Sequence, residues 1–155
     1  GGEVIAIDID DSKLELAKKV GARHTINSLS ENLHELLYEM TNGGPDVIIE
    51  AIGLAETFRI AVEEVAFSGR IIYIGYAKEK VSYETKLFVQ KELDIRGSRN
   101  ALGDFREVMK MLEAGNFPAD EIISDIILFD KAESALRKWD QNPGNVRKII
   151  IDMGS

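Results

Sequence analysis

Short apolar runs alternate with amphipathic stretches along most of this chain. Glu3 to Asp8 (EVIAID) is rich in Val and Ile and closes on an acid, the pattern of a buried strand. Asp10 or Asp11 then caps a helix in which Leu14, Ala17 and Val20 fall on one face, and Gly21 stops it. A brief strand is expected at His24 to Asn27. Ser30 begins the next helix, with Leu33, Leu36, Leu37 and Met40 at helical spacing, and Asn42, Gly43, Gly44 and Pro45 break it. The pattern then repeats. Asp46 to Ile52 is a near-continuous apolar strand, Phe58, Ala61, Val62 and Val65 mark a helix face closed by Gly69, and Arg70 to Gly75 (RIIYIG) is another buried strand. Units of this kind build a parallel sheet with helices on both faces, so the expected fold class is α/β, a doubly wound parallel sheet.

From Tyr76 the rhythm loosens. Leu93 to Ser98 reads as a strand, and Phe105, Val108, Met109 and Leu112 form a helix face ending at Gly115. A strand is expected near Ile126 to Phe129. Asp130 and Glu133 then form a capping box for a helix carrying Ala132, Ala135, Leu136 and Trp139. Pro143-Gly144 turns the chain into a last strand, Arg147 to Asp152. A seam is expected between Gly115 and Asp120, giving segments 1–115 and 116–155.

At 155 residues, 45% hydrophobic and 30% charged, the chain has the composition of a soluble globular domain with a real core. Its net charge of −8 argues against nucleic acid and against an anionic membrane surface as partners. No apolar run has the length to span a bilayer and no signal peptide is evident, so a cytoplasmic protein is expected. With no cysteine, disulfides, thiol nucleophiles and thiolate zinc sites within this chain are excluded. His24 and His34 stand outside any constellation, and Trp139 completes a helix stripe, so none of the three is given a functional role.

Ligands of an open parallel sheet bind outside the carboxyl ends of its strands, and Asp8 stands at such an end. An acid there can accept hydrogen bonds from the adenosine ribose hydroxyls of a dinucleotide and repel the extra phosphate of NADP. Taken alone, Asp8 reads first as a polar strand-end residue beside a helix start. Asp8, Asp10 and Asp11 lack the glycine and terminal glutamate of a calcium loop, and helix-start acids account better for Asp10 and Asp11.

The runs VIAIDIDDSKLELAKKVGA, DVIIEAIG, GRIIYIG, ELDIRGSRNA and GNVRKIIID resemble, in order and spacing, the zinc-dependent medium-chain alcohol and polyol dehydrogenases. The sorbitol, threonine and sugar-acid branch is closest, and the likeness covers the C-terminal half of such a protein. The resemblance implies a Rossmann-type NAD-binding domain. It assigns Asp8 and Lys13 to the adenosine ribose, and Ile52 and Gly53 to the loop flanking the adenosine half. Ile74, Gly75 and Tyr76 would pack on nicotinamide, Ser98, Arg99 and Asn100 would meet its carboxamide, and Lys148 would reach the pyrophosphate. Each has a plainer alternative: Lys13 as a solvated helix lysine, Ile74 as core, Lys148 as a surface charge.

A domain of this kind opens with a strand, a glycine-rich turn and a helix. Gly1-Gly2 falls where that helix should be ending, so the first strand-turn-helix and the catalytic domain are expected to lie outside these residues, most simply in a longer polypeptide. The segment 116–155 would return toward that catalytic domain. In the order 3-2-1-4-5-6 the missing strand is central, which leaves the strand ending at Asp8 and the strand Asp46 to Ile52 without a shared neighbour. No catalytic residue and no metal ligand is identified within the chain.

The resemblance implies NAD-dependent oxidation of a secondary alcohol of a polyol, amino alcohol or sugar acid, with zinc held in the intact protein by ligands outside this chain. The SRNA run hints at sugar acids. A zinc-free quinone-reductase relative is the alternative enzyme, although Asp8 disfavours the NADPH such proteins often use. A nucleotide-binding or dimerisation module is the non-enzyme alternative, and the isolated chain is expected to be inactive. A homodimer or homotetramer is expected through edge strand 93–98, whose antiparallel register can set Asp94 opposite Arg96 of the mate.

Overall fold

Strands β1 (Ile5–Asp8), β2 (His24–Asn27), β3 (Val47–Glu50), β4 (Arg70–Tyr73) and β5 (Asp94–Gly97) alternate with helices α1 (Asp11–Lys19), α2 (Leu33–Thr41), α3 (Ala55–Glu64) and α4 (Lys86–Gln90) in the computed structural model. The structure describes residues 2–99, 101, 103–115, 117–142, 144 and 146–154. These elements belong to the first of two compact units, Gly1–Leu102 and Gly103–Ser155. All strand pairs are parallel: β1 with β2, and β3–β4–β5 in that order. The α/β class and the parallel pairing follow the predicted alternation. Between β1 and β3 there is no pairing among the described residues, so each keeps one open edge. Val47 and Ile49, which share one face of β3, are 46% and 60% exposed, although the sequence reads as a buried strand.

Local chemistry sets the boundaries. Asp10 caps α1, its carboxylate accepting from Ser12 N–H at 2.8 Å, and Lys18 and Lys19 lie in the last turn, where cations suit the helix dipole. Gly21, at φ +111°, carries the chain out in a conformation that a side chain would strain. The start of α2 corrects the expected cap. Asn27 accepts from the N–H of Leu29 through its side chain, and from those of Ser30 and Glu31 through its carbonyl, so Ser30 is held in the preceding turn. Asn32 then caps the helix.

The core of the unit follows from spacing. Ala61, Val62 and Val65 fall on one face at the end of α3 and bury against Ile71 of β4, with Ile48, Tyr73, Leu87, Phe88 and Leu93 packed around them. Full burial of a Val or Ile side chain such as these contributes about 1.5–3 kcal/mol. Lys91 closes the C-terminus of α3, its ammonium donating to the carbonyls of Glu63 at 2.6 Å and Val65 at 2.8 Å. Leu14, Ile26 and Leu37 bury on α1, β2 and α2.

The second unit holds α5 (Phe105–Glu113), α6 (Ala119–Ile122), β6 (Ile123–Leu128), a 3₁₀ turn (Phe129–Lys131), α7 (Ala132–Gln141) and β7 (Lys148–Asp152), with β6 and β7 parallel. Strand β6 begins earlier than the sequence pattern suggests. The expected capping box is not formed: Asp130 sits inside the 3₁₀ turn that runs directly into α7, and Glu133 pairs with Arg137 at 2.7 Å. Among the described residues no helix is long and apolar enough to cross a membrane.

Candidate functional site

The site begins where β4 ends. The N–H groups of Ile74 and Gly75 both donate to the carbonyl of Glu50, at 2.8 and 3.0 Å, so the chain leaving β4 folds over the end of β3. On the other side Ser98 N–H donates to the Tyr73 carbonyl at 2.9 Å and extends the β4–β5 ladder. A cleft of about 520 Å³ opens at these carboxyl ends, in the size range of small-molecule sites. Ile74, Gly75 and Tyr76 line one wall, Gly97, Ser98 and Arg99 the other, and Phe58 and Tyr73 complete it.

Five residues expected from the sequence therefore meet here: Ile74, Gly75, Tyr76, Ser98 and Arg99. Asn100 lies outside the described residues. Ile74 is 54% exposed and Tyr76 78%, so neither is core. The Arg99 guanidinium stands 5.8 Å from the centroid of the Tyr76 ring, within the range of a cation–π contact across the cleft mouth.

Ile52 and Gly53 are not in the lining but brace it. Gly53 has φ +86°, and a β-carbon there would lie 2.8 Å from Tyr76 N, so the turn after β3 presses on the turn after β4. Asp8 and Lys13 lie apart from the lining, at the β1 end of the unit. The Asp8 carboxylate accepts through Oδ1 from Ile9 N–H at 2.8 Å and Asp10 N–H at 3.0 Å, in a local turn that leaves Oδ2 without a partner among the described residues. Beside it in register is Asn27, whose amide reaches Asp11 Oδ1 at 2.6 Å. Hydrogen bonding from Ser12 holds the Asp10 carboxyl below the usual range, in keeping with its place as helix cap. Lys13 is exposed on α1. Lys148 belongs to the second unit, exposed at the start of β7.

Three residues that matter to the site escape the sequence reading. Phe58 and Tyr73 are assigned there only to a helix face and a strand. Burial first, then the neighbouring Tyr83 and Glu50, pushes the Tyr73 hydroxyl well above the ordinary tyrosine range. Glu50 is buried at 5% exposure. Its one signal is an acid closing the apolar run VIIE. Among the described residues, no group of three or more His, Cys, Asp or Glu could hold a metal ion.

Residues 1–114 match the family model described as zinc-binding dehydrogenase. An uncharacterised zinc-type alcohol dehydrogenase-like protein of Haemophilus influenzae is 33% identical over 150 residues, covering 96% of this chain and 44% of that protein. A D-xylulose reductase of Scheffersomyces stipitis is 33% identical over 112 residues, 71% of this chain and 31% of that protein. A solved alcohol dehydrogenase of Escherichia coli CFT073, in complex with NADH, superposes with a TM-score of 0.86 at 25% identity, over 97% of this chain and 43% of that one. The chain thus spans less than half the length of these relatives. With the family model covering most of its length, and parallel strands ending in a cleft as described, the chain belongs to the zinc-binding dehydrogenase family.

Proposed function

We propose that this chain is the cofactor-binding part of an NAD(H)-dependent oxidoreductase of the zinc alcohol dehydrogenase type. The observation that carries the reading is the cleft at the carboxyl ends of β4 and β5, which gathers Ile74, Gly75, Tyr76, Ser98 and Arg99. Its features fit a nicotinamide. Exposed Ile74 and Tyr76 offer apolar surface to a flat ring, and Gly75 keeps the wall at backbone thickness. Bound there, nicotinamide would supply hydride transfer, while the protein supplies binding and orientation. The main chain at Ser98 to Asn100 would hold the carboxamide, and Ile52 and Gly53 would flank the adenosine half. Asp8, through its uncommitted Oδ2, would accept from the adenosine ribose, with Lys13 at the same ribose.

The substrate in this reading is a small secondary alcohol on a polyol, amino alcohol or sugar acid, supported by the likeness to a D-xylulose reductase. In this reading zinc would be held by residues outside this chain. Segment 116–155 would return toward the catalytic domain, the assembly is a dimer across β5, and the compartment is the cytoplasm.

Steady-state kinetics of the intact dehydrogenase that carries this chain, with NAD and NADP on a panel of polyols and sugar acids, tests the reading. A carboxylate at the ribose repels a 2′-phosphate, so wild type should favour NAD. Asp8→Asn keeps a turn acceptor but removes the charge, and should erode that preference by about tenfold, in line with the loss of one close charge repulsion. Faster turnover by wild type with NADP would overturn the assignment of Asp8.

A further inference from the structure

Glu50 ends β3 and is the one buried charged side chain among the described residues. Its carbonyl takes the N–H groups of Ile74 and Gly75. Its carboxylate Oε1 takes three more donors: Ile52 N–H at 2.9 Å, Gly53 N–H at 2.8 Å and the Thr57 hydroxyl at 2.8 Å. One residue thereby fixes both turns at the carboxyl end of the sheet. The other oxygen, Oε2, is buried and has no hydrogen-bond partner among the described residues. It occupies the space that a β-carbon on Gly75 would fill, one backbone layer behind the cleft wall.

Fold stability alone does not call for this arrangement. A turn such as 50–53 needs an acceptor for two N–H groups, which a neutral Asn or Ser supplies with a shorter side chain. Burying a carboxylate with one oxygen unmatched is unfavourable, and such a group asks for an explanation. We propose that Glu50 is a positioning residue that locks the Ile52–Gly53 and Ile74–Tyr76 turns into one register, so that a dinucleotide laid along both gains affinity from its nicotinamide half. This rests on the nicotinamide reading of the cleft. The lock has two parts. Oε1 draws the β3 turn inward, and Oε2 against Gly75 sets how far the β4 turn closes behind it.

Glu50→Gln separates them. The amide oxygen can keep the three donors, while the NH₂ group, larger than an oxygen, bears on Gly75 and displaces the 74–76 turn. The experiment compares dissociation constants for NADH and for ADP-ribose, which lacks nicotinamide, in the full chain as wild type and Glu50→Gln, with thermal unfolding of each. The advantage of NADH over ADP-ribose should fall roughly fivefold in the variant while the melting temperature stays within a few degrees, because preorganisation and not folding is lost. An unchanged ratio in a folded Glu50→Gln overturns the proposal. If that variant does not fold, Thr57→Val, which keeps the carboxylate and removes one donor, should lower the same ratio about twofold, and no change there also overturns it. Wild type that binds ADP-ribose and NADH equally, or neither, instead brings down the nicotinamide reading, and this proposal with it.

Discussion

The ring of Tyr73 lies flat on that of Phe58, centroids 4.2 Å apart and planes 5° from parallel, and the Tyr73 hydroxyl donates to the Phe58 carbonyl at 2.9 Å. Strand β4 and helix α3 are thus joined beneath the cleft by one stack and one hydrogen bond. Tyr73→Phe keeps the stack and deletes the bond. Phe58 O retains its place in the α3 ladder, so the loss should be near the lower end for a hydrogen bond, about 0.5–1 kcal/mol by urea unfolding at neutral pH. The pH dependence has a definite sign. The folded hydroxyl titrates higher than the unfolded one, so its contribution is complete below the unfolded value of about 10 and is lost as pH rises above it. Tyr73→Phe should remove that alkaline decline, and an unchanged alkaline limb would show that Tyr73 is not its source.

Gly75 is required by space, not by backbone conformation. A β-carbon there would meet the Glu50 carboxylate and sit 2.8 Å from Gly53 Cα, with backbone on the far side that cannot swing away. Gly75→Ala should therefore destabilise the protein by about 1–3 kcal/mol, the usual range for overpacking, and weaken NADH binding through the displaced wall. Calorimetric unfolding identical to wild type would mean the two turns are looser than this packing indicates.

The alternation of apolar runs and helical faces carried the architecture because strand and helix periods are written locally in residue order. Asp10 at the start of α1 and Gly21 after it are legible for the same reason: a cap and a positive φ concern neighbours in sequence. Ser30 and Asp130 mislead because competing local bonds decide the outcome. Asn27 gathers the turn that holds Ser30, and a 3₁₀ turn absorbs Asp130. In the site, Ile74, Gly75 and Tyr76 could be singled out through resemblance, but Glu50 could not. Its importance arises from contacts with Thr57 and Gly75, which lie far along the chain from one another and converge only when β3 and β4 pair in register.

Asp94 joins two arginines within its own chain. Arg96 Nη2 lies 2.9 Å from its carboxylate and Arg70 Nε 3.0 Å, and first Arg96, then Arg70, holds the carboxyl below the usual range. A carboxyl lowered in the folded state contributes stability above its unfolded value near 3.8 and loses it as pH falls through the folded value. Asp94→Asn should therefore be less stable than wild type at neutral pH and converge with it in acid. Urea unfolding from pH 7 down to pH 3 reads this directly, and parallel curves for the two proteins would refute it.

This network also changes the basis for the proposed dimer across β5. The sequence suggested that Asp94 could face Arg96 of a mate, but both are engaged within one strand, so pairing would rest on the backbone ladder. The register shows which groups are available. Asp94 N–H donates to Gly69 O and Ser98 N–H to Tyr73 O, both toward β4, so by the two-residue alternation of a strand the N–H groups of Ile95 and Gly97 face the open edge. Such an edge invites a partner strand, and a twofold antiparallel pairing satisfies it and stops at a dimer. Ile95→Pro removes an outward donor while leaving the β4 ladder intact, and proline is tolerated in an edge strand whose N–H points away from its neighbour. The variant should therefore keep its far-UV spectrum and its NADH binding while sedimenting as a monomer at micromolar concentrations where wild type is a dimer. A monomeric wild type, or a dimer that Ile95→Pro leaves undisturbed, would place the contact elsewhere than β5.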